Sequence, residues 1–372
     1  MEIILNFLFQ LGHIIFYYLL PFVVVLGIMI FFHELGHFLI AKYFDVKVLK
    51  FSLGFGPKIL AKKVGETEYS IRYFPLGGFV KMLGEDEEDE ESFDIAPEDE
   101  ERAFNNKHPL KRIAIVAAGP VFNLILAFFL FCGLYLISGK YVMTTEIGQI
   151  TPDSPAAKAG ISPGDIVISV QGIKVSKWEE LKSIVQRSTD QPLALAVERE
   201  GEIIRFEIIP EVAMVKNEFG EEIKSALIGI VAAGKFIKVE IGPIQSVHES
   251  LSETWRWIKL TCLVVVKLFQ GVISIKTVGG PILIGQMTGN LVQENISYLI
   301  PFMAIISINL GILNLFPIPI LDGGVIIFLL IELIMRKPLS IRKREIAQKV
   351  GLSLLIILMV IVFYNDILRI IE

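Results

Sequence analysis

The chain divides first by its apolar runs. Four stretches reach the length of about 20 mostly apolar residues that carries a helix across a bilayer: 16–40, 113–137, 296–335 and 350–370. The third holds Pro317 and Pro319, neither of which can continue a helix, so a broken span is expected there. The first reads as a retained span and not a cleaved leader: it is long, has no basic stretch before it and carries polar residues deep inside. A fifth run, 258–275, is interrupted by Lys259 and Lys267 and reads as an amphipathic or interfacial helix.

The polar stretches between these runs have their own periodicity. Residues 146–150 and 166–170 alternate as short strands, and 193–198 with 203–208 read as a hairpin around Gly201. Ser154, Pro155 and Gly160 form an N-cap, a first helical residue and a stop, and a second helix follows at 178–186. A small α+β module over 145–212 is predicted, a PDZ domain if one edge strand accepts a peptide C-terminus. Between the first two spans, 68–73 alternates, and Gly77-Gly78 breaks the chain just beyond it. A hairpin of 67–74 with 79–82 is expected to touch or enter the bilayer, where backbone is tolerated only if paired or buried in protein.

Charge orients these elements. Lys42, Lys47, Lys50, Lys58, Lys62 and Lys63 follow the first span, and Lys107, Lys111 and Arg112 precede the second. Arg336, Lys337, Arg342 and Arg344 lie before the last. Such clusters mark the cytoplasmic side. They share a side only if 258–275 does not cross, which places the N-terminus and 144–252 outside the cytoplasm. The expected fold is a polytopic α-helical membrane protein of about four transmembrane helices. It has a cytoplasmic membrane-associated β-hairpin in 44–110 and an extracytoplasmic α+β PDZ-like domain at 145–212. A connector, 213–295, then leads to the third span.

Composition narrows the function. Hydrophobic residues make up 53% and charged residues 20%, which excludes a purely soluble enzyme and a disordered chain. The net charge of −5 conceals an acidic run: 12 of the 17 residues from Glu85 to Glu101 are acidic. Without them the remainder carries +7, too little for a strong basic field, so no nucleic-acid partner is expected. The run itself reads as a solvated loop. Cys132 and Cys262 alone cannot make a disulfide scaffold or a thiolate zinc site.

The candidate chemistry lies within the spans. His33-Glu34-Leu35-Gly36-His37 sits near the end of the first. On a helix, His33 and His37 share a face and can bind one metal ion, while Glu34 can take a proton from a water the metal activates. Ionisable groups in such a run are costly and point to function. Hydrolytic zinc needs a third ligand, and none of the other histidines lies inside a span. Among the acids in the apolar segments, Asp322 stands out because Pro317, Pro319, Gly323 and Gly324 make its surroundings irregular. Asn309 and Asn314 on the same broken span suit holding an extended backbone or an oxyanion, or bonding between helices. Two histidines and a carboxylate fit zinc, and geometry alone also admits iron or cobalt. A metal-binding scaffold would need the ligands but no Glu34, and a transporter would show two related halves, which are not visible.

Taken together, Phe32-His33-Glu34-Leu35-Gly36-His37-Phe38, Gly54-Phe55-Gly56-Pro57, Pro75-Leu76-Gly77-Gly78, Ala103-Phe104-Asn105-Asn106-Lys107, Ala118-Gly119-Pro120 and the run from Asn309 through Asn314 to Gly324 resemble the bacterial site-2 proteases of the RseP type. The resemblance runs over essentially the whole chain. It implies an intramembrane zinc metalloendopeptidase with His33, His37 and Asp322 on Zn2+, Glu34 as catalytic base, and Asn309 and Asn314 handling substrate. The implied substrates are single-pass membrane proteins already shortened by another protease, often anti-sigma factors, and remnant signal peptides, in a bacterial inner membrane. The hairpin would present an edge to an unwound substrate. The best-known members carry two tandem PDZ domains, and this chain has room for one.

Overall fold

A π-helical turn, Ile15–Leu19, leads into α1, Leu20–Tyr43, and Pro21, which has no N–H to donate, stands just past that turn. The computed structural model describes residues 6, 9–10, 12–85, 96–188 and 191–371; most of the acidic run, 86–95, lies outside them. Two long strands follow, β1, Val48–Val64, and β2, Thr67–Met82. Near their turn Lys63 faces Glu68 and Val64 faces Thr67, while Phe51 is registered with Tyr69 on one side and Val80 on the other. Residues 48–53 therefore run between 68–71 and 78–82, and 58–64 form the outer flank. This corrects the expected hairpin: 67–74 and 79–82 belong to one strand and share β1 as partner. Gly54, Gly56, Pro57 and the lysines of β1 interrupt its alternation, which is why it reads as loop.

The sheet is fastened to α1 by aromatic contact. The Phe51 ring lies 5.3 Å from Phe38 and 6.0 Å from Phe31. Val48, Val80 and Met82 join it in a core with Ala41 and with Ile115 of α2, Pro109–Ser138. Burial of each such side chain is worth about 1.5–3 kcal/mol. At the far end Arg102 donates to Asp45, Glu66 and Asp99 at 3.1, 2.9 and 3.3 Å, tying the β-turn to the end of α1.

A second compact unit, Tyr135–Val247 with Lys267–Ile273, contains the α+β module. Its elements are β3 (Lys140–Met143), β4 (Ile147–Ile150), α3 (Pro155–Ala159), β5 (Ile166–Val170), β6 (Ile173–Lys174), α4 (Trp178–Arg187), β7 (Leu193–Arg199) and β8 (Glu202–Ile208). β9 (Glu211–Lys216), β10 (Glu222–Leu227), β11 (Ile230–Ala232) and β12 (Phe236–Val239) complete it. The main sheet runs β6-β5-β7-β8 over a core that includes Val167, Leu181, Leu193 and Leu195. Ser154 caps α3 by accepting from the Ala157 N–H at 3.3 Å, as its sequence predicts. The expected limit at 212 is too short: β11 pairs with β4, β12 with β3, and Ile228 lies in the core. Strands of three or four residues leave no periodic signal.

The rest of the chain is helical. α5, Pro243–Phe269, starts well before the apolar run at 258 and buries Ser246, Ser250 and Thr254. α6, Pro281–Glu294, lies in what was expected to be a connector, yet it packs on the first helix, with Gly289 against the Tyr18 ring. The broken span appears as α7, Leu299–Asn314, and α8, Asp322–Met335, and α9, Ile341–Ile371, closes the chain. Among the described residues four helices are long and apolar enough to cross a membrane: Gly12–Tyr43, Pro109–Ser138, Ile296–Asn314 and Ile341–Ile371. α5 is not one of them. Buried Arg112 of α2 forms an ion pair with half-buried Glu332 of α8.

Candidate metal centre

Four residues make little more than one helical turn, so His33 and His37 stand on one face of α1 with ring centroids 4.8 Å apart. Their Nε2 atoms are 3.2 Å apart. Asp322 opens α8, and the irregular chain before it, with two prolines, delivers its carboxylate to the same place. Its Oδ2 lies 3.2 Å from His33 Nε2 and its Oδ1 3.7 Å from His37 Nε2. One ligand-type atom from each of these residues lies within 4.8 Å of the others.

Two of these groups, His37 and Asp322, meet as acceptors. His37 Nδ1–H donates to the Ile115 carbonyl at 2.9 Å, and a carbonyl can only accept, so His37 Nε2 presents a lone pair. Asp322 Oδ2 is buried and makes no hydrogen bond, although His33 Nε2 is 3.2 Å away. Buried polar atoms are nearly always paired. Converging lone pairs in an apolar interior repel one another unless a cation lies among them, and two imidazoles with one carboxylate are a zinc-type donor set. Room for the cluster comes from Gly119 on α2, where a Cβ would stand 2.3 Å from His37 Nε2 and 2.9 Å from His33 Cε1.

Glu34 is half-buried and within electrostatic reach of His33 and Asp322. It lies against the hairpin: a Cβ at Gly78 would come within 2.9 Å of Glu34 Cγ. Only glycine lets the strand pass so close. Asn314 brings Nδ2 to 3.5 Å from His33 Nε2. Asn309 is held elsewhere, its Oδ1 accepting from Thr261 Oγ1 of α5 at 2.7 Å. The structure thus gathers His33, His37, Asp322 and Asn314, sets Glu34 beside them, and ties Asn309 to α5.

One residue escapes the sequence reading. Asn123 of α2 is buried, with Nδ2 3.3 Å from His33 Nδ1. A lone amide inside an otherwise apolar span is a visible signal, but a search of that span for acids and histidines alone passes over it.

Comparison with known proteins gives the family. Residues 21–358 match the model of peptidase family M50. A provisionally named zinc metalloprotease of Clostridium acetobutylicum is 38% identical over 93% of this chain and 96% of its own. Another from Campylobacter jejuni is 37% identical, covering 94% and 93%. The zinc metalloprotease RasP of Geobacillus kaustophilus is 30% identical over 94% of this chain and 97% of its own. The chain belongs to peptidase family M50, the site-2 proteases. It is a zinc metalloprotease and a membrane protein.

Proposed function

We propose that this protease hydrolyses peptide bonds within the membrane-spanning segments of single-pass proteins, such as anti-sigma-factor-like substrates after a first cut and remnant signal peptides. His33, His37 and Asp322 hold the zinc ion, and Glu34 is the general base. The observation that carries this reading is the convergence of two histidine nitrogens and a carboxylate beside Glu34, with both histidines on a helix long enough to span a bilayer. Zinc, when bound there, supplies a Lewis acid that polarises a carbonyl and makes water reactive near neutral pH. Glu34 accepts the proton of the attacking water and passes it to the leaving amine. Asn314, beside His33, and Asn309, anchored by Thr261, hold the substrate backbone.

A transmembrane helix hides its amides in its own hydrogen bonds, so it must unwind to be cut. Residues 78–82 have ladder partners only on 48–53 and form a flank of the hairpin sheet, whereas 68–71 are paired on both sides. An unwound segment therefore adds as a strand along 78–82, next to Glu34, and not along 68–73. The basic clusters support a bacterial inner-membrane topology of four spans. The N-terminus and the single PDZ-like module lie outside the cytoplasm, and the active site lies near its cytoplasmic face. That module can take a peptide C-terminus at an edge strand.

The test is cleavage of a truncated single-pass substrate by purified protein in detergent, with zinc measured in each sample. Glu34→Gln is expected to keep zinc and lose cleavage, and chelation to remove both. Cleavage that survives Glu34→Gln and complete zinc removal would refute the assignment. Stoichiometric zinc without cleavage of any spanning substrate would favour a metal-binding scaffold.

A further inference from the structure

We infer that Asn123 is a positioning residue that fixes the tautomer of His33 and so sets how tightly zinc is held. The inference rests on the proposed role of His33 as a zinc ligand. A neutral imidazole has one N–H and one lone pair, and ligation through Nε2 puts the proton on Nδ1, where it needs an acceptor. For His37 that acceptor is the Ile115 carbonyl at 2.9 Å. For His33 the group at Nδ1 is the Asn123 amide, 3.3 Å away.

Asn123 is fully enclosed, at 0% exposure. As placed, its Nδ2 faces the ring and its Oδ1 is buried with no hydrogen-bond partner. The two ends of a carboxamide have nearly the same shape, and a half-turn exchanges them. With Oδ1 turned to the ring, the amide accepts the Nδ1 proton, and His33 Nε2 offers its lone pair beside Asp322. With Nδ2 toward the ring, the amide donates to Nδ1 and the imidazole proton moves to Nε2, where it points at the other ligand atoms. Ligation through Nε2 decides between the two, because it puts the proton on Nδ1, where only Oδ1 can accept it. The residue is also braced from α7. Ser307 Oγ donates to the Asn123 carbonyl at 2.8 Å, and a Cβ on Gly311 would lie 3.4 Å from Asn123 Cβ. The helix bearing Asn309 and Asn314 is thereby registered on the residue that orients His33.

The experiment is the zinc dissociation constant of the full-length protein in detergent, by competition with a chromophoric chelator. Asn123→Leu keeps the shape and removes both polar ends; Asn123→Asp keeps an acceptor oxygen and removes the donor. Leucine is expected to weaken zinc binding about 10–100-fold, the usual cost of losing a group that orients a metal ligand. Aspartate is expected to stay close to wild type. Ser307→Ala, which cuts the brace without touching the amide, is expected to bind zinc as wild type does. Wild-type affinity in Asn123→Leu, or an equal loss in Asn123→Asp, would overturn the inference. So would an equal loss in Ser307→Ala, which would assign the effect to packing. His33→Ala separates the two levels: if it binds zinc as wild type does, the metal centre itself is misassigned.

Discussion

Two aspartates in apolar helices of this protein, Asp366 buried and Asp322 half-buried with one oxygen enclosed, are treated in opposite ways. Asp366 of α9 accepts from the backbone N–H groups of Gly280, Ile282 and Leu283 at 2.9, 3.0 and 3.1 Å, capping α6 at its start. Both of its oxygens have partners. Asp322 is left with Oδ2 unpartnered among two histidine nitrogens. Burial of an acid in a span is therefore an ambiguous sign. The difference lies in whether the surrounding chain completes its hydrogen bonds, as a structural carboxylate requires, or leaves them for something else to complete.

That contrast can be tested at both ends. Asp322→Ala is expected to abolish cleavage and zinc binding together, read by activity and metal content. Gly119→Ala pushes a methyl toward His37 Nε2 and is expected to weaken zinc about 10–100-fold without unfolding the protein, read by chelator competition. Arg112→Leu leaves the half-buried Glu332 without its partner and is expected to cost about 1–3 kcal/mol of stability. Most of that should return when Glu332 is also made leucine, a comparison read by denaturation. Asp366→Ala strands three N–H donors and is expected to cost about 1–3 kcal/mol while zinc stays bound. Zinc loss there equal to that of Asp322→Ala would erase the distinction between the two sites.

The smallest effect lies in the module. Arg199 donates to Asp165 at 2.7 and 2.8 Å, and this pairing holds the Asp165 carboxyl below the usual carboxylate range. A depressed pKa adds stability that is complete above the unfolded value of about 3.9 and is lost as pH falls through the lower folded value. Hydrogen exchange in β5 and β7 of the full chain should therefore quicken below about pH 4. Asp165→Asn should remove most of that acid dependence. An unchanged profile in the variant would show that other groups set it.

The candidate metal centre was largely legible in the sequence because its signals are local. Two histidines one turn apart, and an acid among prolines and glycines, contrast sharply with the apolar residues around them. The cap at Ser154 and the hairpin at Gly201 were legible for the same reason. What escaped depends on distant partners. β1 loses its alternation at Gly54, Gly56 and Pro57, and is a strand only because β2 pairs with it on both sides. β11 and β12 are defined by β4 and β3, 80 or more residues away. Asn123 matters only through His33, which is 90 residues earlier.

His33, His37 and Asp322 are proposed to hold the zinc of this protease. X-ray absorption at the zinc edge of the purified, zinc-loaded protein tests this most directly. The zinc is expected to be ligated by nitrogen and oxygen with two imidazoles, one of which disappears in His37→Ala. A sulfur-containing shell, or an unchanged two-imidazole shell in His37→Ala, would contradict it.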